Sequence, residues 1–202
     1  MRIWIGSIVL LLAASGAQAH AQVARTWELS ASYAYVRSNA PPGGCGCFSM
    51  NGAGGDAAYR FTSHISLAGD VSLAHAGNVP DAGQTFTLTS YQAGPRFYLP
   101  AGRQWTAFGH ILLGAAHAGG SAFSGTASST NAFAATLGGG LQLGLNHAVA
   151  LRVVDADYFL TKFPNGGNDH QNNLRLSVGI VFRFGHRGPP EPLAHVVEPP
   201  LP

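Results

Sequence analysis

The sequence predicts an all-β fold, an eight-stranded antiparallel up-and-down β-barrel that crosses a membrane, on the strength of three observations. Segments of about ten residues alternate apolar and polar side chains, the length and period of a tilted spanning strand. Connections between these segments alternate between short and long along the chain. Charged residues make up only 10% of the chain while glycine reaches 27 of 202 residues, a composition foreign to an ordinary soluble domain. It suits a cylinder that faces lipid outside and packs small side chains inside.

The first 21 residues, MRIWIGSIVLLLAASGAQAHA, read as a secretory signal. Arg2 supplies the positive region, residues 3–14 the apolar run, and Ala17-Gln18-Ala19 the small-x-small site, with Ala19-His20-Ala21 as its alternative. Cleavage is therefore expected after Ala19 or Ala21. The run is too short for a membrane helix, and nothing downstream approaches the roughly 20 apolar residues such a helix needs. A mature chain that lives in a membrane must cross it with strands. The net charge of +2, without any Lys/Arg cluster, leaves no footprint for nucleic acid.

The first strand, WELSASYAYV, sets Trp27, Leu29, Ala31, Tyr33 and Tyr35 against Glu28, Ser30, Ser32 and Ala34. After the long segment 37–51, GAGGDAAYRFT places Ala53, Ala57, Tyr59 and Phe61 together and turns Asp56 and Arg60 to the other side. A short turn leads to SLAGDVSLAHA, with Leu67, Val71 and Leu73 opposed to Ser66, Asp70 and Ser72. A polar segment, GNVPDAGQ, is read as the second long loop. TFTLTSYQAGPRFYL opposes Tyr91, Ala93, Pro95 and Phe97 to Ser90, Gln92, Gly94 and Arg96, and Pro95, which has no N–H to donate, predicts a local break in the ladder. WTAFGHILLGAAH is a strand with too few polar residues to fix its facing. AFAATLGGGLQLGL alternates Phe133, Leu137, Leu141, Leu143 and Leu145 with Thr136, glycines and Gln142. In AVALRVVDADYFLT, Arg152 lies on the opposite parity to Asp155 and Asp157, and a bulge at Val153 or Val154 is needed to bring all three inside. NLRLSVGIVFRFG closes the set, with Leu174, Leu176, Val178, Ile180, Phe182 and Phe184 facing out.

Three connections, near 62–64, 100–104 and 146–147, read as short and four as long, in strict alternation. A barrel with tight turns at one end and free loops at the other requires this, whereas a soluble sandwich has no reason to sort loop length by end. The sandwich remains the rival on periodicity alone. It would leave Glu28, Asp56, Arg60, Asp70 and Arg96 as ordinary surface charges. Trp27, Tyr59, Phe61, Phe97 and Trp105, joined by Phe182 and Phe184, fall at strand ends toward the short turns, as an interfacial girdle would.

Over residues 24–185 the chain resembles the OmpA-like and OmpX-like eight-stranded outer-membrane barrels. Its last strand carries Ser177, Gly179, Phe182 and Phe184 in the polar-x-Gly-x-x-aromatic-x-aromatic order, which looks like the signal read by the barrel assembly machinery. The resemblance implies a bacterial outer-membrane protein with both termini in the periplasm. Residues 186–202 are Pro-rich and resemble the linker that in longer family members leads to a peptidoglycan-binding domain. No cell-wall anchoring is carried over, and the tail is expected to be extended and poorly ordered.

Glu28, Asp56, Arg60, Asp70, Arg96, Arg152, Asp155, Asp157, Arg175 and Arg183 are the candidate lumen charges, and in a narrow barrel they are expected to pair, because an unpaired buried charge costs several kcal/mol. A plug-like ion network is one reading and a gated path for ions or small solutes the other. Cys45 and Cys47, in GGCGCF, suggest a loop disulfide, strained across one residue, or idle thiols rather than a metal site. Histidines 75, 110 and 117 invite a lipid-modifying enzyme, but no nucleophile elbow, HExxH, P-loop or dinucleotide fingerprint accompanies them. Loops such as PPGGCGCFSMNGAGG could touch a partner or merely cover the barrel mouth. The sequence reading is thus a monomeric structural barrel without cofactor, metal or catalysis, whose partners are lipid and the assembly machinery. A narrow channel is the alternative, with a surface-loop adhesin or a lipid-modifying enzyme behind it.

Overall fold

The computed structural model describes residues 26–38, 47–79, 84–120, 129–163 and 169–185. The signal segment, the tail and Cys45 lie outside them, as does any pairing of Cys45 with Cys47. Eight strands form one closed antiparallel barrel in chain order: β1 (Thr26–Ser38), β2 (Phe48–Arg60), β3 (Ile65–Val79), β4 (Gln84–Pro100), β5 (Trp105–Gly119), β6 (Ser129–Gly144), β7 (Val149–Thr161) and β8 (Gln171–Gly185). Closure is made by β1 on β8, where Trp27 pairs with Phe184 and Ser38 with Asn173. A closed barrel leaves no sheet edge, so the ladder groups of these strands can pair around the whole cylinder without water.

The side-chain period of two then decides what faces what. Leu67, Val71, Leu113, Leu137, Leu174 and Val178 are exposed, Leu137 at 59%, while Glu28, Arg96 and Asp157 are 1% exposed. This is the inverse of a sandwich, whose large apolar side chains would meet in the middle. The facing of β5, which its composition leaves open, is fixed by its neighbours. Ile111 and Leu113 point out, and Phe108, His110 and Leu112 point in.

Two irregularities fall where the residues demand them. The β6–β7 register shifts as Leu141 pairs with Val154 but Gln142 with Arg152, and the β7–β8 register shifts between Arg152 and Asp155. The expected bulge is thus present, with Val153 and Val154 both outward and Arg152, Asp155 and Asp157 all inward. Between β4 and β5 the pairing runs to Ala93–Leu113 and resumes at Arg96–His110 without a change of register, so Pro95 interrupts that ladder and does not displace it.

Two expected loops are shorter than the sequence reading gave them. β2 begins at Phe48, and β3 and β4 run on to Val79 and from Gln84, leaving only residues 80–83 between them. The second loop-end connection is therefore as short in sequence as those at 61–64, 101–104 and 145–148, and strict short-long alternation fails there. After a register shift beyond Ala76, Val79 pairs with Gln84 and extends the ladder into the segment read as loop, because strands of 13 to 17 residues exceed the roughly 10 that a bilayer requires and their ends can carry polar groups beyond it.

The barrel is narrow enough that some inward positions accept no side chain. A Cβ on Gly138 would sit 1.8 Å from the Asp157 Oδ1 atom and 2.7 Å from the Ala156 carbonyl. Replacing Gly138 by alanine is expected to cost about 1–3 kcal/mol of overpacking, measured as a lower urea midpoint for unfolding in lipid vesicles. An unchanged midpoint would mean that this wall is looser than the geometry implies.

Candidate functional site

The inward faces of all eight strands form three layers from the turn end to the loop end. At the turn end Glu28 on β1 is buried, its Oε1 atom accepting from Arg60 at 3.0 Å and from Arg183 at 3.1 Å, and its Oε2 from the Tyr98 hydroxyl at 2.8 Å. The Arg60 guanidinium lies 3.6 Å from the centroid of the Tyr98 ring, and Arg183 also donates to Gln142 at 2.9 Å.

In the middle, Asp56 accepts from Arg96 and Arg152 at 2.6 Å each, and Ser30 donates to the same carboxylate. Arg152 reaches Asp155 at 3.5 Å. Arg175 bonds Asp157 at 2.8 Å and Asp70 at 3.0 Å, and the other oxygen of Asp157 meets the His110 Nε2 atom at 2.9 Å. Phe108 lies under Arg96 and Arg152, and Phe159 under Arg175, at centroid distances of 5.1 to 5.6 Å. Delocalised, weakly hydrated guanidinium suits these aromatic faces better than ammonium would. Five guanidiniums and five carboxylates thus share the lumen. The balance is uneven along the axis: two guanidiniums meet one carboxylate at the turn end, while three meet four in the middle, where the His110 imidazole is added.

Toward the loop end the lumen turns mostly apolar, with Ser38, Thr161 and Asn173 as buried polar residues beside the apolar ones. Val36, Phe48, Met50, Leu88, Phe159 and Phe163 pack with small alanines into one buried cluster. Sequence reasoning assigned the inside to charge and missed this layer, although Val36, Met50 and Leu88 share the parity of Glu28, Asp56 and Arg96 on their strands. It placed Gln92 and Gln142 on the inward face but missed Tyr98, the partner of Glu28, at the parity of Arg96. His110 was singled out only as a catalytic temptation, on the strand whose facing was open.

All ten predicted lumen charges are in the network. The predicted girdle residues lie on the outer face at the turn end, where Trp27 and Tyr59 rings sit 4.9 Å apart and Tyr59 and Phe61 5.1 Å. Ser177 is inward and buried, and Phe182 and Phe184 are outward on β8. Gly179 lets β8 approach β1, since a Cβ there would lie 2.4 Å from the Ala31 carbonyl. His75 and His117 face outward toward the loop end, at 2.9 Å from Thr87 and Asn131 respectively, and are not brought together with His110. His110, Asp155 and Asp157 each offer a ligand atom within 4.8 Å of the others. Both oxygens of Asp157 are already engaged, by His110 and Arg175, and Arg152 stands beside Asp155, so the cluster is built as an ion-pair network rather than as a cation cage.

Three comparisons bear on this geometry. The family model for the outer membrane protein beta-barrel domain matches residues 7–182. No curated protein matches the chain. Among solved structures, Ail, the attachment invasion locus protein of Yersinia pestis, is 22% identical, covering 79% of this chain and 99% of its own with a TM-score of 0.55. Neisserial surface protein A is 17% identical, covering 78% of this chain and 97% of its own with a TM-score of 0.62. At these identities the likeness is one of fold.

Proposed function

The chain belongs to the outer membrane β-barrel family, and from that premise we propose that it serves the bacterial cell envelope as a structural barrel, with its lumen closed. The observation that carries this reading is the stacking of an apolar layer on an ion-paired one. Val36, Phe48, Met50, Leu88 and Phe159 present no polar side-chain atom to a hydrated ion, and the middle layer beneath them holds a cavity of only about 10 Å³, lined by Asp70, Arg152, Asp155 and Arg175, with room for about one water. An ion would have to shed its water at the first layer and break buried pairs at the second. In this reading the tight turns and both termini face the periplasm, Ser177, Gly179, Phe182 and Phe184 serve recognition by the assembly machinery, the outer face meets lipid, the barrel acts as a monomer, and no step of catalysis is assigned.

Refolded protein in planar bilayers is expected to give no discrete conductance steps at physiological salt. Steps of uniform size would favour the narrow channel instead. Turnover of lipid that is lost on H75A or H117A would replace both readings with an enzyme.

A further inference from the structure

The turn-end mouth holds a cavity of about 220 Å³, whose lining includes Glu28, Arg60, Thr106, Asn146, Arg183 and Gly185. Its two arginines differ from those deeper in the barrel. Arg152 and Arg175 each reach two carboxylates, whereas Arg60 and Arg183 share a single oxygen of Glu28. The second oxygen of Glu28 is engaged by Tyr98, so that carboxylate has no further capacity directed at them. The Arg60 Nε atom is buried without a protein hydrogen-bond partner among the described residues, as are those of Arg96 and Arg152, so what sets the mouth apart is its single shared carboxylate oxygen and its access. The Arg60 and Arg183 side chains are also 19% and 22% exposed, against 1%, 3% and 5% for Arg96, Arg152 and Arg175, so a solute entering the mouth can reach them. Among the described residues, two cations facing one anion leave an uncompensated positive charge on the wall of a roomy polar cavity.

We propose that this mouth is a carboxylate-binding site, in which one carboxylate takes the guanidinium donors of Arg60 and Arg183 that Glu28 leaves over. A guanidinium presents five donors in a fixed fork, so two of them can serve Glu28 and a second carboxylate together. A monoanion brings the cluster to neutrality, while a phosphate dianion would overshoot it. The carboxylate comes either from the segment that follows Gly185 or from a separate molecule in the same compartment. Gly185 itself lines the cavity, and Glu191, six residues further on, is within about 20 Å of extended chain.

The test uses the full chain refolded in detergent micelles, with sodium acetate as probe and sodium chloride at matched ionic strength as control, and reads the amide resonances of Thr106 and Gly185. Acetate is expected to shift them saturably and chloride not. A response confined to E191Q/E198Q supports the site and makes the chain's own tail the occupant. An equal response in the unsubstituted chain supports the site with a separate ligand. R60Q and R183Q are each expected to weaken acetate at least about tenfold, with R183K weakening it less, in samples whose heat-modifiable gel migration certifies folding. No saturable response in either the unsubstituted chain or E191Q/E198Q would overturn the proposal, even if the arginine variants fail to fold. So would a response that R60Q and R183Q leave unchanged.

Discussion

Replacing Asp56 by alanine is expected to lower the unfolding free energy of the barrel in lipid vesicles by about 3–5 kcal/mol, the cost of leaving buried charge without its partner. Asp56 holds two guanidiniums at 2.6 Å, and those of Arg96 and Arg152 are 1% and 3% exposed, so bulk water does not replace the carboxylate once it is gone. The Asp155 carboxylate is 3.5 Å from Arg152 and cannot serve both. Removing all three charges in D56A/R96M/R152M is expected to recover most of the loss, because methionines can pack against Phe108 without a desolvation cost. Urea titration read by tryptophan fluorescence and by gel mobility measures both. A loss below about 1 kcal/mol for D56A, the range of a solvated surface pair, would mean that water fills the lumen.

The second large effect lies on the other face. Leu137, midway along β6, is 59% exposed and pairs with Ile111 and Tyr158, so it points away from the lumen at mid-strand. Arginine there is expected to cost about 2–4 kcal/mol in a bilayer, because its guanidinium must be drawn into hydrocarbon or thin the membrane around it. At Gln104, in the exposed turn between β4 and β5, the same substitution is expected to change the unfolding free energy by less than about 0.5 kcal/mol. Equal small effects at both positions would place water against Leu137.

The contrast between these faces was legible in the sequence wherever a strand carried a polar residue at alternate positions. β1 and β8 declare their facing through Glu28, Arg175 and Arg183, and the β7 bulge could be read from the conflicting parity of Arg152 and Asp155. β5 could not be read, since His110 is its lone titratable residue within the lumen and alanine and glycine fit either wall. The composition of GNVPDAGQ, residues 77–84, reads as a loop, but beyond the lipid a strand can be polar on both faces, so the ends of β3 and β4 at Val79 and Gln84 had no signal of their own. The apolar layer was hidden for another reason. Val36, Met50 and Leu88 sit at inward parity, but hydrophobicity in a membrane barrel points first to lipid, and only register against Phe159 and Phe163 gathers them inside. Pairing within the network, such as Arg175 with Asp70 across 105 positions of sequence, depends on closure of the cylinder and no local pattern encodes it.

Spin labels placed one at a time along β5 and β6 of the protein in vesicles, with collision by oxygen compared against collision by a water-soluble nickel chelate, test the central claim most directly. At Ile111, Leu113, Phe133 and Leu137 the account predicts high oxygen and low nickel accessibility, alternating with positions 112, 134 and 136 where both are low. Strong nickel access at Leu113 and Leu137, or loss of the two-residue alternation, would contradict a lipid-facing cylinder with its charges enclosed.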